Sequence, residues 1–149
     1  MVAVLAAVGV GVLWTQVIQN DGSKRLAWTD VTDQMGTVLW PKSVTRSFTR
    51  KRQVIHYFAR TFPHHAPAVP KIDFLRRKLV LVAAGPRSST GYGVKIVSVT
   101  ERRSDIRVVA RETTPLLDSH VTVKLTSPYR LFTIPSTWKR VYVQWQGRP

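Results

Sequence analysis

The feature that most constrains the fold is a series of short apolar runs in the C-terminal half of the chain. From Lys71 onward, turn-forming residues separate runs that read KLVLVAA, GVKIVSVT, DIRVVARET, HVTVKLT, YRLFTIP and RVYVQWQ. Several runs alternate apolar and polar residues, which is the pattern of a strand with one buried face. Short strands at this spacing predict an antiparallel β-sandwich or barrel, and the pattern does not decide between the two.

One stretch before these strands has helical periodicity. In residues 49–62 the apolar side chains recur at steps of three and four, and basic residues occupy the other positions. The proline-rich sequence PHHAPAVP then forbids continuation of the helix. We therefore predict a mainly β (α+β) domain at residues 49–149, with one amphipathic helix at 49–62 and a β module at 71–149.

The N-terminal residues suggest a targeting segment. Residues 2–18 carry no charge and are apolar apart from Thr15 and Gln16. A bilayer span needs about 20 apolar residues and a signal-peptide core about 7–15, so the length falls between them. A buried helix of a soluble domain is the alternative. We expect residues 1–20 to be a signal peptide or membrane anchor, which predicts an exported protein or one anchored at the extracytoplasmic face. Residues 21–48 are expected to be a linker with a short strand at Thr37–Trp40.

Charge and composition limit the possible chemistry. The chain has 23 Lys and Arg against 8 Asp and Glu, a net charge of +15 that favours polyanions such as nucleic acid, anionic lipid or an acidic wall polymer. It has no cysteine, which removes disulfides and thiolate chemistry. Asp118, Ser119 and His120 are adjacent, and neighbours along a strand point to opposite faces, which argues against a triad. The pair His64–His65 lacks metal-ligand spacing. We expect no enzyme activity, no catalytic residue, no cofactor and no metal.

The loop GPRSSTGYG, residues 85–93, lies between two of the apolar runs. A phosphate-binding loop would need a Lys-Ser or Lys-Thr pair followed by a helix, and the residues after Gly93 are β-patterned instead. Its glycines are typical of turns. We predict a partner-binding surface formed by Arg87, Ser88, Ser89, Thr90, Gly91 and Tyr92. In the other interpretation, Tyr92 packs over the sheet and only holds the turn.

The order of several short motifs resembles the C-terminal domain of the protease complex subunit PrcB family. These motifs are Asp73-Phe74, Thr90-Gly91-Tyr92-Gly93, Glu112-Thr113-Thr114-Pro115, and the series Thr126, Pro128, Tyr129, Ile134 and Pro135. The resemblance covers roughly residues 45–136. The family's Thr-Gly-Gly-Tyr turn differs here, because one glycine follows the tyrosine. The resemblance implies an accessory or assembly role beside a protein partner, with a protease of an extracytoplasmic complex as the candidate, and it supplies no catalytic residues.

Two other functions stay open. Ser89-Thr90-Gly91-Tyr92 is similar to a loop of chagasin-type cysteine-protease inhibitors, which makes inhibition through the 85–93 loop one alternative. Basic and aromatic residues interleave in STWKRVYVQWQ and SPYRLFTIP, as they do on small β folds that bind nucleic acid. The prediction remains a non-catalytic protein-binding module whose basic surface favours an anionic membrane or cell wall.

Overall fold

The computed structural model describes residues 22–147 of the chain, which form ten strands, one α-helix and one short 3-10 helix. The α-helix α1 spans Lys51–Thr61 and the 3-10 helix spans Thr32–Gln34. The strands are β1 Lys24–Arg25, β2 Thr29–Asp30, β3 Val44–Phe48, β4 Arg77–Ala83, β5 Arg87–Ser89, β6 Gly93–Glu101, β7 Asp105–Thr113, β8 Val123–Thr126, β9 Tyr129–Pro135 and β10 Arg140–Gln146.

The strands form two four-stranded sheets and a two-stranded arm. The first sheet has the order β1-β6-β7-β10 and the second has the order β2-β9-β4-β3. Strands β5 and β8 pair with each other, and together with residues 114–122, which lead into β8, they form the arm. Every pairing is antiparallel except that of β10 with β7, which is parallel.

The two sheets enclose the first apolar core. Inward-facing residues alternate along β4, β6, β7 and β9, as expected where two sheet faces interdigitate. The buried members of this core are Val80, Val82, Ala84, Val94, Ile96, Val99, Ile106, Val108, Ala110, Phe132 and Ile134. Val141, Val143 and Trp145 of β10 are half-buried against it.

A second core lies on the other face of the second sheet, under α1. Val54 and Phe58 of the helix pack against Leu79 and Leu81 of β4, and Trp40 is also fully buried there. Because its alternate residues enter different cores, β4 is buried on both faces. The described residues therefore form three layers: the first sheet, the second sheet and the helix.

The mainly β prediction with one amphipathic helix is confirmed, and the helix lies within the predicted residues 49–62. Neither sheet closes into a barrel in the described part of the chain, so the architecture is an open sandwich.

Residues 22–48 contain more structure than a short strand in a linker. The run Thr37–Trp40 has no strand geometry, although Val38 and Trp40 are buried. Strands β1, β2 and β3 instead extend both sheets.

Residues 1–20, predicted to be a signal peptide or anchor, lie outside the described residues. Within residues 22–147, no helix has the length and apolar character needed to cross a bilayer.

Candidate functional site

The 85–93 loop begins at Gly85, where its backbone passes close to the backbone of Ser43. Gly85 has φ +86°, and a Cβ there would lie 2.7 Å from the backbone nitrogen of Ser43. Only glycine fits both the positive φ and the close approach. The chain then enters β5, which pairs with β8 and carries an irregularity between Arg87 and Ser89.

Arg87 is tied to the body of the domain. Its guanidinium forms two hydrogen bonds with the carboxylate of Glu112 on β7, Nε to Oε1 at 2.5 Å and Nη2 to Oε2 at 2.7 Å. The Glu112 side chain is only 3% exposed. The hydrogen bond to Glu112 raises the pKa of Arg87 above its ordinary value, so the guanidinium stays charged. Arg87 therefore neutralises a buried carboxylate, which is a structural role.

Tyr92 lies beside this ion pair. The Arg87 guanidinium carbon is 5.9 Å from the centre of the Tyr92 ring, within the range of a cation–π contact. The ring is half-buried. This contact fits the interpretation in which Tyr92 holds the turn, and it leaves part of the ring accessible to a partner.

The turn between β5 and β6 is fastened to the arm. The backbone N–H of Thr90 donates to the Thr122 carbonyl at 3.0 Å, and the Thr122 N–H donates to Thr90 Oγ1 at 2.9 Å. Gly91 has φ +90°, and a Cβ there would lie 2.9 Å from Cγ of Pro115. Loop and arm thus form one continuous surface.

The arm exposes large apolar side chains to solvent. Leu116 is 80% exposed, Leu117 is fully exposed, and Leu125 is 58% exposed, with Val121 and Val123 also accessible. A cavity of about 660 Å³ adjoins the loop and is lined by residues 36–39, 90–94 and 124–130. Large exposed apolar patches mark contact sites for proteins or membranes, or grooves that bind ligands.

Of the predicted site residues, Ser88 and Gly91 are exposed, and Arg87, Ser89, Thr90 and Tyr92 are half-buried. The structure brings all six together with the arm. The apolar arm was missed by the sequence reasoning, although the leucine pair in TTPLLDSH, set within a polar loop, was an available signal.

The residues considered for catalysis or metal binding do not assemble into a site. Asp118, Ser119 and His120 are all exposed in the arm, and Ser119 Oγ donates to the Leu116 carbonyl at 2.7 Å. His64 and His65 are also exposed. Among residues 22–147, no three His, Cys, Asp or Glu side chains come together in a way that could hold a metal ion.

The fold and the site together define a mainly β sandwich that presents an exposed apolar arm beside a glycine-containing loop. Residues 78–135 match the family model described as PrcB C-terminal, which confirms the resemblance over β4 to β9. No curated protein and no solved structure matches the chain.

Proposed function

We propose that this protein is a non-catalytic binding module that joins an extracytoplasmic protease complex, from an exported or membrane-anchored position. The observation that carries the proposal is the exposed apolar arm beside the 87–92 loop. The match to the PrcB C-terminal family supports a protein partner. The uncharged apolar residues 2–18 support export or anchoring, and the net charge of +15 favours retention at an anionic envelope.

The contact surface consists of the accessible edge of Tyr92 together with the leucines of the arm. Arg87 serves this surface indirectly, because its pair with Glu112 fixes the loop. In a typical protein interface a few centrally buried side chains carry most of the binding energy, and a polar, solvent-accessible rim surrounds them.

The test is affinity capture from the native envelope fraction with the full chain, followed by identification of the captured protein. Leu117→Glu and Tyr92→Ala should lose a captured component of a protease complex. Leu75→Glu is the matched control, because Leu75 is 91% exposed in the turn before β4, away from the arm. Equal capture by all four proteins would contradict the proposed surface.

The same proteins separate the two alternatives. If the wild-type chain inhibits the captured protease and the Tyr92→Ala variant does not, the module is an inhibitor that acts through the 85–93 loop. Retardation of an oligonucleotide with a steep salt dependence, unaffected by Leu117→Glu, would favour a nucleic-acid-binding domain.

A further inference from the structure

The outer face of the first sheet is basic and uncovered. The inner residues of β6, β7 and β10 enter the sandwich core, so the alternate residues point outward. Helix α1 covers the second sheet, and no described element covers the outer face of the first. Five cationic residues occupy this face, namely Arg25, Lys95, Arg107, Arg111 and Arg140.

The strand register places these cations in rows that cross the sheet. Lys95 and Arg111 are directly opposite each other on β6 and β7. A second row contains Tyr142, Arg107, Thr100 and Arg25, one residue from each of the four strands. Like charges directly opposite each other are unfavourable in an isolated sheet. The repulsion between Lys95 and Arg111 therefore destabilises the free protein, and a bound anionic surface would offset it.

These cations are not neutralised within the described residues. None of the five takes part in an ion pair of the described chain. The acidic residue Asp105 lies on the same face, opposite Arg140. The four described ion pairs include none of these five cations, so the face stays strongly positive.

Aromatic and apolar side chains accompany the cations. Tyr142 projects from the same face and is more than half exposed, and Val97 is exposed at the irregularity in β6. Trp138 is 84% exposed in the turn that leads into β10. Trp and Tyr rings favour the headgroup region of a bilayer, and Lys and Arg beside an anionic membrane are each attracted to it.

We propose that the outer face of the β1-β6-β7-β10 sheet binds the surface of an anionic phospholipid bilayer. The inference deepens the proposed function and rests on it for the location of the protein at a membrane. An uncovered sheet face with dispersed cations fits an extended array of anionic headgroups. A single-stranded nucleic acid would instead require several rings to stack successive bases, and among the described strands Tyr142 is the ring that projects from this face.

The test is co-sedimentation of the full chain with vesicles of phosphatidylcholine alone or of phosphatidylcholine with phosphatidylglycerol. The variant is Arg107→Glu/Arg111→Glu, and the control is Arg46→Glu/Arg60→Glu, which makes the same change of charge beside α1. Each basic residue near an anionic surface contributes roughly fivefold in affinity, so the first pair should weaken binding to the anionic vesicles by at least about tenfold more than the control pair. Binding to phosphatidylcholine alone, to which residues 2–18 could contribute, should be the same for all three proteins.

Equal weakening by the two variants would show that only net charge matters, and this result would overturn the proposed face. Unchanged vesicle binding by Arg107→Glu/Arg111→Glu, accompanied by loss of oligonucleotide binding, would also overturn it in favour of nucleic acid. Because Arg111→Glu places an acid opposite Lys95, the variant should remain folded, and its melting temperature checks this. Capture of the protein partner through Leu117 is measured separately, so failure of lipid binding and failure of the proposed function are distinguishable.

Discussion

Tyr129, at the start of β9, has a phenol hydroxyl whose proton forms a hydrogen bond that stabilises the fold. Its hydroxyl donates to the Gly36 carbonyl at 2.5 Å, and its ring packs against Trp40 with the ring centres 5.9 Å apart. Burial raises the pKa of Tyr129 to about 12, with smaller contributions from the charges of Asp33 and Asp30. The folded protein thus keeps a proton that the unfolded chain releases near pH 10.

This difference predicts a loss of stability in strong alkali. The raised pKa stabilises the folded state fully below about pH 10, and this contribution is lost as pH rises from about 10 toward about 12. We expect Tyr129→Phe to be less stable than wild type at pH 8 by about 1 kcal/mol, the value of the lost hydrogen bond. The gap should close between pH 10 and pH 12. Urea denaturation of both proteins at each pH measures it, and a constant gap would contradict the assignment.

At the same scale, Arg87 shows what the sequence could and could not predict about the site. The sequence located the loop correctly, because its glycines and small hydroxyls stand between two apolar runs. It could not show that Arg87 pairs with Glu112, which lies 25 residues away. The pairing depends on how β5 is placed relative to β7, and local periodicity carries no information about that placement.

At the scale of single elements, α1 is the helix that covers the second core. Phe58 is 1% exposed, and its ring centre lies 6.0 Å from that of Trp40. Phe58→Ala should therefore lower the free energy of unfolding by about 3–5 kcal/mol, through lost apolar burial and the resulting cavity. Chemical denaturation monitored by circular dichroism gives the value.

Ile55→Ala is the matched control for this prediction. Ile55 lies in the same helix but is 49% exposed. Its truncation should cost less than about 1 kcal/mol, because most of the lost surface was already in water. Comparable losses in the two variants would mean that α1 is not held through the face that contains Phe58.

The sequence predicted elements better than their pairings. The strong alternation in β6 and β7 and the helical period of α1 made those elements visible in advance. Strands β1 and β2 have two residues each, which is too short for a periodic signal. The parallel pairing of β10 with β7 was also unpredictable, since the chain crosses through β9 of the other sheet between them, and periodicity does not encode strand order.

At the scale of the whole molecule, net charge opposes compaction. A charge of +15 on 149 residues produces self-repulsion in the folded state that exceeds the repulsion in the expanded chain. Raising sodium chloride from about 0.1 M to about 1 M shortens the Debye length from about 10 Å to about 3 Å. We expect the melting temperature to rise over this range, as scanning calorimetry would show.

The control for the salt prediction is Arg107→Glu/Arg111→Glu, whose net charge is lower. Its rise in melting temperature should be smaller than that of wild type if self-repulsion is the cause. A wild-type melting temperature that falls with salt would show that the four ion pairs outweigh the repulsion.

The position of the family match within the sandwich has a consequence for how this domain can be divided. Residues 78–135 include β6, β7 and β9 and nearly all of β4, but they exclude β1, β2, β3 and β10. In a fragment cut at these limits, each of the central strands β4, β6, β7 and β9 would lose one hydrogen-bonded neighbour. The longest lost pairings would be that of β3 with β4 and that of β10 with β7. Bare strand edges recruit other chains. The flanking strands β1, β2, β3 and β10 therefore cover the strand edges of the segment 78–135. We expect a shortened version of this protein to stay monodisperse only if it retains them.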